Sequence, residues 1–144
     1  PPVRTMDAPI NYLAVFVAGL IPMIVGSIWY GPLFGKKWME LEGKTEEELR
    51  AKFNPLKSYG VTFVFALLMA YVLLHVLNAF SDAYGMSGLT AGIQGGFWVW
   101  LGFVLTIGWQ QVAFSGQSLA LWLINSLYNL VTLVCMGALL STWQ

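Results

Sequence analysis

The sequence predicts an all-α fold: an integral membrane bundle of four transmembrane helices, with a short amphipathic cytoplasmic connector between the first and second. Three observations predict it. Of the 144 residues, 58% are hydrophobic and only 10% charged, against about 25% charged in an ordinary soluble domain. Eleven of the fourteen charged side chains lie between Lys36 and Lys57, leaving only Arg4, Asp7 and Asp82 elsewhere. The uncharged stretches Ile10–Gly35, Ser58–Ser81 and Ala83–Gln144 each exceed the roughly 20 apolar residues that a helix needs to cross a bilayer. The composition excludes a disordered chain, a nucleic-acid binder with a basic surface, and most water-soluble enzymes. The length accommodates a single domain over 1–144.

The spans fall at about 10–30, 59–80, 89–112 and 119–142. The last uncharged stretch holds two of them, because the polar, Gly-containing run Ser115–Ser118 interrupts it. Helix is preferred to barrel strand because Val61–Leu74 and Leu130–Leu140 are apolar on every face, whereas a barrel strand alternates. The first run is longer than a signal-peptide core and continues into Trp29-Tyr30-Gly31-Pro32 without a small-residue cleavage pattern. Residues 1–5 read as foreign to the chain, with Met6 as the natural start. Pro22 is expected to kink the first helix and free a carbonyl for another partner.

Pro32 and Gly35 are expected to end the first span. In the connector, Trp38 and Leu41 share one face of a short helix that Gly43 stops. Thr45 and Glu48 form a capping box for a helix over 46–53, with Glu46–Arg50 and Glu48–Lys52 at the favourable i,i+4 spacing and Asn54-Pro55 as its end. The connector reads as an amphipathic segment resting on the membrane surface, or as a docking site for a cytoplasmic partner. Lys36, Lys37, Lys44, Arg50, Lys52 and Lys57 all lie in it, against Arg4 alone elsewhere. The positive-inside rule therefore places it in the cytoplasm, with both termini on the outer side of the cytoplasmic membrane.

Three blocks carry a family resemblance. The first is Trp29-Tyr30-Gly31-Pro32-Leu33-Phe34-Gly35-Lys36-Lys37-Trp38, and the second is Trp100-Leu101-Gly102-Phe103-Val104. The third comprises Ile124-Asn125, Tyr128, Leu130-Val131 and Met136-Gly137-Ala138, ending in Trp143. With Gly43-Lys44-Thr45-Glu46-Glu47 they resemble the small bacterial membrane proteins of the domain of unknown function 1761 family, from Asn11 to Trp143. The resemblance implies four membrane helices and supplies no activity. The chain departs from the pattern at Phe114-Ser115-Gly116-Gln117, where Phe-Glu-Gly-Arg is expected. Separately, Trp29 with Phe34-Gly35 recurs in outline as Trp109 with Phe114-Ser115-Gly116. That faint repeat implies two parallel hairpins related by an axis along the membrane normal.

Polar residues within the spans are the best functional pointers, because they are costly in hydrocarbon. Tyr71, His75, Asn78 and Asp82 form one stripe on span two, with Asp82 placed to pair with or orient His75. Ser118, Asn125, Asn129 and Thr132 form another on span four. Two readings are open. The stripes tie helices together by hydrogen bonds of about 0.6–2 kcal/mol each, or they line a site for a solute, lipid headgroup or proton, with His75 as its titratable member. No catalytic constellation, metal cluster or cofactor motif is legible, and the lone Cys135 reads as a small packer.

Gly88, Gly92 and Gly96 are four apart, a pattern that permits close helix approach within the bundle or across an oligomer. Trp98 and Trp100 lie near mid-membrane, away from the interfaces that tryptophan prefers. Each marks a helix or subunit interface, or the wall of a ligand site. The sequence therefore reads as a non-catalytic structural or interaction protein that self-associates as a dimer or trimer in the lipid bilayer. It takes no cofactor and no nucleic acid. The alternative is a small transporter, channel or lipid-binding protein that uses the polar stripes to hold a bound lipid or small solute.

Overall fold

The computed structural model describes residues 10–144, and all the secondary structure among them is helical. Arg4, Asp7 and the leading residues 1–5 lie outside the described residues. Helix α1 (Tyr12–Ile28) opens at Asn11, whose side-chain oxygen accepts the Ala14 N–H at 3.1 Å. This cap satisfies an otherwise orphaned first-turn donor. The same side chain donates to the carbonyl of Trp143 at 3.2 Å, which ties the start of α1 to the far end of the chain.

The first span ends at Leu33, between Pro32 and Gly35 as expected, and helix α1 does not break before it. It runs into a wide π turn, Trp29–Leu33, closed by the Phe34 N–H on the Trp29 carbonyl at 2.8 Å. Pro32 has no N–H, and the wider register carries the chain past the missing donor. Helix α2 (Gly35–Glu42) follows directly. A Cβ at position 35 would lie 2.5 Å from the Tyr30 carbonyl oxygen, so glycine permits the junction. Gly43 ends α2 at φ 68°, a left-handed value that glycine adopts without penalty. In α3 (Glu46–Lys52) the Thr45 hydroxyl accepts the Glu48 N–H at 3.2 Å. The Arg50–Glu46 pair at 2.6 Å is exposed on both sides, so its contribution is about 0.3–0.5 kcal/mol.

Asn54-Pro55 ends α3 and also begins α4 (Pro55–Tyr84). Asn54 accepts the Lys57 N–H at 3.3 Å, and Pro55 occupies the first helical position, where its missing N–H costs nothing. Span two is therefore longer at both ends than the expected 59–80. Helices α5 (Gly88–Val99) and α6 (Leu105–Ser115) are joined by a second π turn, Trp100–Val104, into one rod. Ser118, expected in the polar stripe of span four, instead caps α7 (Leu119–Thr142) by accepting the Leu121 N–H at 3.1 Å.

Four of these helical rods are long and apolar enough to cross a membrane: Tyr12–Leu33, Pro55–Tyr84, Gly88–Ser115 and Leu119–Thr142. The closest packing is between α5 and α7, while α1 packs on both α4 and α7. Between them lies a core built on Ala18, Ala70, Leu73, Trp100, Met136 and Leu140. The outward faces are also apolar: Leu56, Phe65, Phe103 and Phe114 are between 64% and 88% exposed. A water-soluble monomer rarely leaves so much large apolar surface uncovered. These lengths and faces are those of a multi-pass membrane protein.

Candidate functional site

The densest polar chemistry among the spanning rods lies where three aromatic donors meet α7. Trp29 donates its indole N–H to the Ile124 carbonyl at 3.0 Å, and Tyr30 donates its hydroxyl to Asn125 Oδ1 at 2.6 Å. Trp100 donates to the Ser126 carbonyl at 2.6 Å. Three consecutive residues of α7 thus accept from the two π turns. One helical turn further on, the Tyr128 hydroxyl reaches back to the Pro22 carbonyl at 2.7 Å, and its ring meets Tyr30 edge-on at 5.1 Å. Trp38 of α2 covers Tyr30 from the other side at 5.8 Å. The carbonyl that Pro22 strips of its helical donor is that of Ala18, four residues earlier. Tyr128 bonds the proline's own carbonyl, so the freed-carbonyl expectation is displaced by one turn.

Both π turns open on a tryptophan followed two residues later by glycine, and both indoles bond an α7 carbonyl. The structural counterpart of Trp29 is therefore Trp100. Trp109, the counterpart suggested by the faint repeat, sits in regular helix and meets Trp122 edge-on at 5.2 Å. The helix widens at each of these tryptophans, and each indole reaches a backbone carbonyl of α7. Each of the four aromatic donors, Trp29, Tyr30, Trp100 and Tyr128, has a fixed acceptor. Replacing Tyr30 with phenylalanine is expected to cost about 1 kcal/mol, and more if Asn125 Oδ1 is left unsatisfied. A double-mutant cycle with Asn125→Ala, followed by detergent unfolding, measures the coupling.

The predicted stripes occupy different surroundings. Asn125 belongs to the clasp, and Thr132 is buried on the same face of α7. Asn129 is half-buried, and none of the clasp hydrogen bonds described above reaches it. On α4, Tyr71 meets His75 edge-on at 4.6 Å. His75 Nε2 is shielded and has no hydrogen-bond partner among the described residues. Asn78 is half-buried and Asp82 exposed. Asp82 lies seven residues beyond His75, about 10 Å along the helix axis, too far to orient that nitrogen. The clasp draws its donors from the π turns rather than from α4, so the two stripes do not converge on it.

The glycines separate by role. A Cβ on Gly92 would fall onto the Gly137 carbonyl, and one on Gly137 would fall onto the Gly92 carbonyl. A Cβ on Gly96 would lie 2.5 Å from the Leu133 carbonyl oxygen. Gly92 and Gly96 thus set the close approach of α5 to α7. Gly88 departs from the expected packing face: nothing lies within 4 Å of its Cβ position, and its φ of 75° serves the turn into α5. Trp98 and Trp100 also divide. Trp100 is buried in the clasp, whereas Trp98 is 56% exposed.

Two cavities flank these features. One of about 470 Å³ lies between α1 and α4, with Pro22, Ser27, Tyr30, Ser58, Tyr59 and Thr62 on its walls. The other, about 360 Å³, lies between the last turn of α4 and α5, beside Trp98. Neither is lined by His75 or Asn129.

The missed residues are Trp29, Tyr30 and Trp100, read from sequence only as family blocks or interface aromatics. Their signal is an aromatic hydrogen-bond donor placed next to Gly or Gly-Pro inside an apolar run. No curated protein and no solved structure matches the chain. The model of a family described as protein of unknown function (DUF1761) matches residues 13–141, taking in both π turns and the whole clasp. With its aromatic blocks placed and that match spanning nearly all of its length, the chain belongs to the DUF1761 family of proteins of unknown function.

Proposed function

We propose that this protein is a non-catalytic structural or interaction component of the cytoplasmic membrane, a four-helix bundle that works as a dimer or trimer. The observation that carries this reading is the contrast between inside and outside. Ala18, Ala70, Met136 and Leu140 are fully buried at the centre of the bundle, and the indoles of Trp29 and Trp100 and the hydroxyl of Tyr30 tie the two π turns to α7. The outward faces of α4 and α5–α6 carry large exposed apolar side chains, suited to lipid or to a second copy. Orientation follows from the basic connector, which the positive-inside rule places in the cytoplasm.

Native mass spectrometry from mild detergent is expected to give two or three subunits. A strictly monomeric protein at all concentrations removes the self-associating part of the reading. Reporter fusions are expected to report cytoplasmic activity within residues 36–57 and external activity at the C-terminus. One observation favours the alternative of a small transporter or lipid-binding protein: the shielded Nε2 of His75, which has no hydrogen-bond partner among the described residues. Replacement by glutamine that leaves the subunit count intact but removes a co-purifying small molecule would favour that alternative.

A further inference from the structure

The cavity beside Trp98 has a chemistry that neither the clasp nor self-association uses. Phe80 and Tyr84 enter it from the last turn of α4, Met86 from the following turn, and Gln94, Gly95 and Trp98 from α5. Its volume of about 360 Å³ falls within the usual range of small-molecule sites. Three of its walls are aromatic, and Phe80 and Tyr84 stand edge to face at 6.3 Å and 68°. Gly95 brings the walls together: a Cβ there would strike the Leu77 side chain and lie 3.6 Å from the Phe80 ring.

Two features of this cavity favour a positive charge. Aromatic faces carry the negative lobe of the ring quadrupole. The last turn of α4 presents helix C-terminal carbonyls, the negative end of the helix dipole. No lysine or arginine occurs from Ala83 to Gln144, Gln94 adds one neutral amide whose oxygen can accept, and the opposing feature is the N-terminus of α5 at Gly88. The Trp98 indole and the Tyr84 hydroxyl are further neutral donors, but no cationic side chain among the described residues lines the cavity to hold an anion. A hydrocarbon chain would fit the lining but would leave the negative helix end unused. A soft cation with apolar substituents uses both, since aromatic faces attract such groups.

We propose that this cavity binds an alkylammonium group, with Trp98, Tyr84 and Phe80 as its aromatic walls. The group can be supplied by a free organic cation or by the headgroup of a membrane lipid, and the test separates these sources. The purified protein in mild detergent is titrated with choline and with its neutral carbon isostere, 3,3-dimethylbutan-1-ol, followed by ligand-observed magnetic resonance. Choline is expected to bind about tenfold more tightly than the isostere. Trp98→Leu, which keeps an apolar side chain but removes the ring, is expected to erase that preference, and Trp98→Phe to retain part of it.

In a second arm the protein is reconstituted with equal phosphatidylcholine and phosphatidylglycerol, and the retained lipid is read by native mass spectrometry. Retention of phosphatidylcholine that depends on Trp98, without binding of free choline, assigns the headgroup as the source. Equal binding of choline and its isostere, or a charge preference unchanged in Trp98→Leu, overturns the proposal. So does the absence of any preference in both arms. Trp98 is 56% exposed, so Trp98→Leu should fold, and its melting temperature checks that.

Discussion

Gly92→Ala is expected to destabilise the protein by about 2–3 kcal/mol, the cost of forcing extra volume into a close-packed contact. The added methyl meets the carbonyl group of Gly137 rather than the tip of a flexible side chain. No rotamer change can relieve it, so α5 and α7 must separate. Separation in turn weakens the neighbouring approach of Gly96 to the Leu133 carbonyl, 2.5 Å from the Cβ position. Gly137→Ala places its methyl on the Gly92 carbonyl from the opposite side and is expected to cost a similar amount. The double variant should cost less than the sum, because helices already moved apart accommodate the second methyl. Gly60→Ala is the control, with nothing within 4 Å of its Cβ position; it should be neutral or stabilising by up to about 1 kcal/mol, the helix-propensity gain. Unfolding titrations in mixed micelles, followed by circular dichroism, measure all four. A Gly92→Ala midpoint equal to that of Gly60→Ala would refute the close approach.

Charge position and apolar run length made the four long helices legible, since both depend only on local composition. The connector was legible for the same reason: Thr45, Gly43 and Asn54 act through hydrogen bonds or dihedral angles within a few residues of themselves. What stayed hidden depends on partners far away in sequence. Gly88, Gly92 and Gly96 share one spacing, yet only the latter two meet α7, because Gly88 is taken by the turn. Nothing in the spacing distinguishes them. Pro32 and Gly35 mark the end of the first span, which closes at Leu33, but nothing in them reveals that its last five residues take the π register.

The candidate site was legible by residue type but not by partnership. Asn125 was singled out as a costly polar group, and its partner Tyr30 is 95 residues away. Asp82 and His75 looked like a pair on one stripe, yet helix rise alone puts them about 10 Å apart. Polar residues on a helix reveal that some partner is needed. They do not reveal which helix supplies it, because that depends on packing angles set by small residues elsewhere.

Trp100 and Trp98 are two residues apart and identical in sequence terms, yet their truncations are expected to differ by several kcal/mol. Trp100 is 8% exposed, sits in the core, and donates its indole N–H to Ser126 at 2.6 Å. Its alanine variant should cost about 3–5 kcal/mol, the usual range for removing a buried large aromatic side chain. Trp100→Phe isolates the hydrogen bond, worth about 0.5–1.5 kcal/mol, because most of the packing remains. Trp98 projects outward from the same helix and packs against little of the core, so Trp98→Ala should stay within about 0.5 kcal/mol of the parent. The two positions thus separate what holds the helices together from what is free to meet a ligand. Thermal unfolding of the three variants in one detergent decides the matter. Equal losses at 98 and 100 would mean that the second π turn does not aim Trp100 inward, and the clasp on α7 would lose its third donor.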